Sequence, residues 1–159
     1  MKIKIFAIGK IKEQYLKDGI NEYLQRIKPY SQIEIIEVND EPVRDNPNDS
    51  DIKKCIELEG NKVLKLLKPS DYLIGLDLNK KELNSPQFAT FLEESFVSGG
   101  SSISFVIGGS YGLSDALKQR CNTSISLSKM TFLHQMTRLI LLEQIYRAFK
   151  INRNETYHK

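Results

Sequence analysis

Three glycines within five residues form the first group whose residue types could serve chemistry. Gly108, Gly109 and Gly112 follow a run of β-branched and aromatic residues that is typical of a strand. Because glycine has no Cβ, such a loop can approach a ligand closely and adopt positive φ. The spacing is neither the G-x-G-x-x-G of dinucleotide sites nor a P-loop, which weakens hydride-transfer and nucleotide-hydrolysis interpretations. Ligand contact and a plain turn both remain open.

A second unusual segment extends from Ser126 to Phe132, between a predicted strand and a predicted helix. Its hydroxyl side chains could hold a polar ligand, and Met130 and Phe132 could flank a flat ring. The alternative is ordinary polarity at the end of a strand, with two apolar anchors to the core. The residues alone leave both readings open.

The histidines and cysteines exclude several chemistries. Cys55 and Cys121 lie 66 residues apart without a C-x-x-C motif, so neither a disulfide framework nor a cysteine zinc site is expected, and no metal is indicated. His134, near the start of the last predicted helix, fits a packing or capping role. His158 lies next to the end of the chain, where either a frayed terminus or a functional tail is possible. No hydrolase triad and no H-E-x-x-H motif is present.

The charge is distributed unevenly along the chain. The formal net charge is +3, but residues 118–159 carry eight Lys or Arg residues and only two acidic ones. A basic segment of this kind could face phosphates, or could simply be a solvated surface. No apolar stretch approaches the roughly 20 residues of a membrane span, and the amino-terminal residues do not resemble a signal peptide. We therefore expect no membrane association and a cytoplasmic protein.

Hydrophobic periodicity predicts the elements that must position these residues. With 159 residues and 40% hydrophobic content, the chain fits a single domain, 1–159. We predict five strands, at 2–8, 33–38, 72–77, 103–107 and 124–127, and five helices, at about 13–27, 51–67, 85–98, 115–120 and 133–151. Ser85 and Ser114 are the expected N-caps of the third and fourth helices.

The strict alternation of strands and helices predicts an α/β fold with a mostly parallel sheet and helices on both faces. Ligands of such sheets bind outside the carboxyl ends of the strands. The chemistry should therefore lie just after strands three, four and five. The last helix has apolar residues around most of its circumference, which predicts a two-fold homodimer with this helix in the interface.

Four motifs of the sequence occur in a familiar order. They are Phe105-Val106-Ile107-Gly108-Gly109-Ser110-Tyr111-Gly112, Ser126-Leu127-Ser128-Lys129-Met130-Thr131-Phe132, Glu143-Gln144-Ile145-Tyr146-Arg147-Ala148-Phe149 and Tyr157-His158. Together they resemble the RlmH (YbeA-like) family of SPOUT methyltransferases, over essentially the whole chain. The resemblance implies a homodimer with a deep trefoil knot near the carboxyl terminus. The knot could not be derived from the residues, because unknotted connections are the rule.

The resemblance also implies an activity. Members of this family use S-adenosylmethionine to methylate N3 of a pseudouridine in the helix 69 loop of 23S rRNA, on the assembled ribosome. By matching motifs, the implied donor site comprises Leu76, Gly108, Leu127, Ser128, Lys129, Met130, Thr131 and Phe132. These residues follow strands three, four and five, where the sheet rule predicts a ligand.

The remaining implied residues serve the RNA side of the site. Arg147, Tyr157 and His158 would belong to the RNA-facing active site, with the tail reaching toward the partner's donor site. We interpret His158 as the general base, because N3 carries a proton that must leave during methyl transfer. Tyr157 could stack on the flipped base or bind it by a hydrogen bond. Arg147 and Lys159 are the first candidates for phosphate contacts, followed by Arg138 and Arg153.

Three residues depart from the family's common pattern. Leu133 stands where many members have Pro, and the absence of Pro is expected to loosen the donor loop slightly. Asn154 stands where Gly is common, and Asn tolerates the left-handed conformation. Lys159 replaces a frequent Arg, which keeps the charge but loses the planar fork of a bidentate phosphate contact.

Two other functions compete with the methyltransferase at this stage. A non-catalytic RNA-binding dimer would use the same basic surface, with salt-sensitive ribosome binding and no affinity for the methyl donor. A flavodoxin-like flavin or nucleotide module would bind FMN tightly. The fold alone cannot separate these functions.

Overall fold

The computed structural model describes all residues, 1–159, and alternates strands with helices along the whole chain. The strands are β1 Lys2–Ile8, β2 Gln32–Val38, β3 Leu73–Leu76, β4 Ser102–Ile107 and β5 Thr123–Ile125. The helices are α1 Gln14–Ile27, α2 Asp49–Leu64, α3 Ser85–Gly99, α4 Asp115–Arg120 and α5 His134–Asn152. The predicted order is confirmed, and the bounds differ by a few residues at most.

The five strands form one sheet in the order β2-β1-β4-β3-β5, and every pair is parallel. The prediction of a mostly parallel sheet is confirmed in this stronger form. Because all strands run the same way, the segments that follow β3, β4 and β5 emerge at one edge. That edge carries the glycine loop and the hydroxyl segment.

Alternate residues of the central strands face two separate cores. Ile5 and Phe105 are register partners and belong to the larger core, which α1, α3 and α5 cover. Phe6 and Val106, the next pair, belong to the smaller core under α2 and α4. Alternate side chains of a strand point to opposite faces, and helices cover both faces of this sheet. The central strands therefore have continuous hydrophobic sequences.

Side-chain caps explain where two helices begin. Helix α2 starts two residues before the predicted position because Asn48 and Asp51 form a reciprocal capping box. In α3 the N-cap is Asn84, whose side chain accepts a hydrogen bond from the Gln87 backbone, and the predicted cap at Ser85 was wrong by one residue. The predicted cap of α4 at Ser114 is confirmed.

Helix α5 packs between α1 and α3 on the larger core. Leu141, Leu142 and Ile145 are fully buried within the chain, so neighbouring helices explain much of the apolar circumference. Met136 and Ile140 stay partly exposed. No helix of the structure combines the length and the hydropathy needed to cross a membrane.

Candidate active site at the carboxyl edge of the sheet

A cavity of about 760 Å³ lies at the edge where β3, β4 and β5 end, and we call it the strand-end cavity. Seven of the eight residues predicted for the donor site line it. They are Leu76, Gly108, Leu127, Ser128, Met130, Thr131 and Phe132. The lining mixes apolar side chains with hydroxyls and backbone, as sites for small polar ligands with an apolar part do.

The glycine loop forms one wall of this cavity, and its own backbone is closely packed. A Cβ on Gly108 would lie 2.7 Å from the backbone carbon of Gly112, which is closer than real atoms approach. Gly112 has a φ of +89°, and its N–H donates to the Gly109 carbonyl at 3.1 Å. Both positions therefore require glycine for backbone reasons.

The hydroxyl segment is held in shape by its own side chains and by the chain after β3. The Ser126 hydroxyl donates to the Ser128 carbonyl at 2.8 Å, and the Ser128 hydroxyl accepts from the Met130 N–H at 3.0 Å. The Lys129 N–H donates to a carboxylate oxygen of Glu82 at 2.5 Å. These bonds fix the loop without using a ligand, which is preorganisation for binding.

Lys129 is the one predicted donor-site residue that does not line the cavity. It is exposed, and its backbone contacts Glu82 instead. His134 lines the cavity at the start of α5, where burial lowers its imidazole pKa. A neutral His134 side chain in the cavity wall fits the packing role expected from the sequence.

Arg147, Tyr157 and His158 come together at the other end of α5. The Arg147 guanidinium lies 4.8 Å from the Tyr157 ring centroid, and its Nη1 is 3.1 Å from His158 Nδ1. The tail turns back at Asn154, whose φ is +55°, so the left-handed conformation expected of this Asn is confirmed. None of the three lines the strand-end cavity of its own chain.

Two residues that the sequence analysis did not assign complete this cluster. The Tyr157 hydroxyl donates to Glu143 Oε1 at 3.0 Å and lies 3.1 Å from the Tyr23 hydroxyl. Glu143 also forms an ion pair with Arg147, one helical turn further along. The i, i+4 spacing of Glu143 and Arg147 was a usable signal, whereas Tyr23 carries none, because it comes from α1.

The environment of Tyr157 holds the phenol in its neutral form. Burial, then the hydrogen bonds to Tyr23 and Glu143, raise the pKa of Tyr157 well above its usual value. A phenol with such a pKa stays protonated at neutral pH. Tyr157 can therefore donate a hydrogen bond or stack, but it cannot act as a base.

The contact between Arg147 and His158 defines which ring nitrogen carries the proton. Arg147 has only donors, so His158 Nδ1 must accept, and the neutral ring then carries its proton on Nε2. In this arrangement the lone pair of the imidazole is occupied. Nδ1 of His158 becomes free to accept another hydrogen bond only when Arg147 moves to another acceptor.

Arg138 does not belong to the RNA-facing surface, which corrects the sequence-based assignment. Its side chain is 2% exposed, and it donates to Glu37 Oε2 at 2.7 Å and to the Gly9 carbonyl at 3.1 Å. A guanidinium buried in these bonds ties α5 to the ends of β1 and β2 and cannot reach a phosphate. Arg153 and Lys159 are exposed, and Arg153 lies over the Tyr30 ring at 4.8 Å.

No group of three or more His, Cys, Asp or Glu side chains is arranged to hold a metal ion. The site thus consists of a mixed cavity at the sheet edge and a separate cluster of Arg, Tyr and His on the tail. The first can bind a small molecule with a flat ring, and the second can contact an anionic polymer and move a proton.

Comparison with known proteins agrees with this architecture. The family model described as predicted SPOUT methyltransferase matches residues 1–158. The chain belongs to the SPOUT methyltransferase family and is a methyltransferase.

Full-length relatives narrow this class. The chain is 49% identical to the ribosomal RNA large subunit methyltransferase H of Carboxydothermus hydrogenoformans, with all of both chains covered. It is 47% identical to the protein of the same name from Symbiobacterium thermophilum, again over the full length of both. The resemblance to the RlmH group, given above from four motifs, is confirmed.

One solved structure supports the fold. The crystal structure of tRNA (m1G37) methyltransferase from Aquifex aeolicus matches with a TM-score of 0.50 and 12% identity, over 92% of this chain and 70% of that one. At this identity the similarity concerns the fold alone.

Proposed function

We propose that this protein transfers the methyl group of S-adenosylmethionine to N3 of a pseudouridine in the helix 69 loop of 23S rRNA, on the assembled ribosome. The observation that carries the proposal is the strand-end cavity, where seven residues matched to the family's donor site meet. The names of the full-length relatives support an rRNA substrate. The particular nucleotide follows from the family resemblance.

The lining of the strand-end cavity fits the methyl donor. Leu76, Leu127 and Phe132 offer apolar surface for an adenine ring, and Gly108 has no side chain that would keep a ligand from its backbone. The hydroxyls of Ser128 and Thr131 supply polar partners. When bound, the donor supplies an activated methyl group, and the protein supplies mainly orientation, which can contribute several kcal/mol.

The tail cluster would handle the nucleotide. An RNA phosphate is a stronger acceptor for Arg147 than a neutral imidazole, because both partners of that bond are charged. Phosphate binding would therefore draw Arg147 away from His158 and free Nδ1 to accept the N3 proton. Tyr157, whose neutral phenol donates to Glu143, would stack on the extruded base or donate a hydrogen bond to it. Arg153 and Lys159 would add phosphate contacts.

The separation of the two parts supports a site built by two chains. The tail of one protomer lines neither of the two principal cavities of its own chain. In a homodimer, the tail of one protomer would complete the donor site of the other. Met136 and Ile140, partly exposed on α5, are available for such an interface. Family membership supports the trefoil knot and the single domain 1–159.

Titration of the purified protein with S-adenosylmethionine in a calorimeter tests the first step. We expect saturable binding by the native chain and none by Gly108→Trp, because a side chain at this position would collide with the Gly112 backbone and displace the glycine loop that lines the cavity. Val97→Trp is the matched control, because Val97 is 86% exposed on α3.

Binding of S-adenosylmethionine by both tryptophan variants would show that the donor does not bind in the strand-end cavity. No binding by a folded native chain would instead favour the non-catalytic RNA-binding dimer. Folding of each variant is checked by its circular dichroism melting curve. Methylation of ribosomes by the native chain is the second assay.

A further inference from the structure

A second cavity, of about 250 Å³, adjoins the strand-end cavity. The two share Gly109, Ser110, Tyr111 and His134 as lining residues. The rest of its wall comes from the loop after β2 and from α2: Asp40, Glu41, Pro42, Val43, Cys55 and Glu59. We call it the acidic cavity. It is smaller than the sites of whole nucleotides or drug-sized ligands, so it suits one small group.

Glu59 is the unusual residue of this wall. It is 3% exposed, and its Oε2 accepts a hydrogen bond from the Glu41 N–H at 3.0 Å. Its other oxygen, Oε1, is buried and has no hydrogen-bond partner in the protein. That oxygen faces the glycine loop, 3.0 Å from where a Cβ on Gly109 would stand. Burial raises the pKa of the Glu59 carboxyl, so its ionised form is costly here unless a donor reaches Oε1.

The charges around the acidic cavity favour a cation as that donor. Glu41 is neutralised by Lys62 at 2.6 Å, whereas Glu59 and Asp40 form no ion pair. No Lys or Arg lines the cavity. Burial lowers the pKa of His134, so this shared wall does not supply the missing positive charge.

The strand-end cavity offers no comparable partner for a cation. Its only acidic lining residue is Asp77. One oxygen of that carboxylate lies 3.8 Å from the Lys118 ammonium, and the other accepts from the Asn79 N–H at 3.0 Å. The nearest acidic group without a partner for the ammonium of a ligand in the strand-end cavity is thus Glu59, in the adjoining acidic cavity.

We propose that the acidic cavity binds the amino group of the methyl donor's amino-acid end, with Glu59 Oε1 as the acceptor. This inference rests on the proposed function, because it places the donor in the strand-end cavity. It extends the site to α2 and to the loop after β2, which the four sequence motifs do not include. A charged ammonium donating to a buried carboxylate is among the stronger hydrogen bonds in proteins.

Two ligands that differ only at this group provide the test. S-adenosylhomocysteine carries the amino group, and its deamino analogue has hydrogen in that position. We expect the native protein to bind the deamino analogue about ten-fold or more weakly, since hydrogen bonds to charged groups are worth that much. In Glu59→Gln the two ligands should bind almost equally, because the variant has lost the charge that distinguishes them.

A matched variant and the native chain keep the outcomes separate. Glu57→Gln removes an exposed charge from the same helix and should keep the native preference between the two ligands. The comparison in the native chain needs no mutation, so it stands even if Glu59→Gln fails to fold. Equal affinities in the native protein would overturn the amino-group site while leaving the proposed function intact. Failure of both ligands to bind would overturn the proposed function and this inference together.

Discussion

At the scale of single residues, hydrogen bonds define the roles that side-chain types leave open. His158 is a general base by type, yet its Nδ1 accepts from Arg147. Tyr157 could ionise in principle, yet burial and its neighbours raise its pKa. For the proposed reaction we therefore assign proton transfer to His158, after its contact with Arg147 has been exchanged.

Replacement of His158 by Ala should reduce the rate of methylation without changing donor binding. Positioned general bases contribute about 10²–10⁴-fold to rates, and we expect a loss in this range. Single-turnover methylation of ribosomes by saturating enzyme measures it. The S-adenosylmethionine affinity should stay near the native value, because His158 is absent from the cavity of its own chain and its proposed contact is with the nucleotide. An unchanged single-turnover rate would show that another group accepts the proton.

Arg138 and Glu59 show what residue types alone cannot predict. Arg138 belongs to the basic carboxyl-terminal segment, but tertiary packing buries it against Glu37 and Gly9. Glu59 lies in a helix with several charged residues, and nothing in its spacing indicates that one of its oxygens is buried without a partner. Both facts depend on contacts with distant segments, which a local pattern does not contain.

At the scale of elements, the sequence predicts order and type well, because hydrophobic period and capping residues are local signals. All five strands and five helices were predicted in order. The N-cap of α3 was placed one residue late because Asn84 and Ser85 are both good capping residues, and only the structure identifies Asn84. The strand order could not be read, because it depends on pairing between distant segments.

One substitution at the start of α5 should stabilise the protein. Leu133 has a φ of −54°, which suits the proline ring, and its backbone N–H makes no hydrogen bond. Its side chain is 53% exposed, so little packing is lost. We expect Leu133→Pro to raise the free energy of unfolding by about 0.4–1 kcal/mol, chiefly by restricting the unfolded chain. Urea denaturation measures the change.

Leu133→Ala separates this backbone effect from the loss of the side chain. The alanine variant should show no gain in the free energy of unfolding, because it leaves φ unrestricted. A proline variant less stable than the alanine variant would mean that Phe132 or the loop before it does not accommodate the ring.

At the scale of the whole molecule, the parallel sheet explains why the candidate site has two separate parts. Strands β3, β4 and β5 all end at one edge, which gathers the donor-site loops. Helix α5 begins at that edge with His134, and Arg147 of the tail cluster lies 13 residues further along, about 20 Å away at 1.5 Å per residue. The tail cluster near its carboxyl end is therefore remote from the donor cavity of its own chain, and a second chain can bridge that distance.

Mixing two inactive variants tests whether two chains build one site. Gly108→Trp lacks a donor cavity but keeps its tail, and His158→Ala keeps the cavity but lacks the base. If each site combines one chain's cavity with the partner's tail, a mixed dimer contains one intact site and one doubly defective site. Random re-pairing of equal amounts should restore about a quarter of the native rate, since half of the dimers are mixed and each has one working site. If the site were built within one chain, the mixture would stay as inactive as its components, because neither chain has both parts intact.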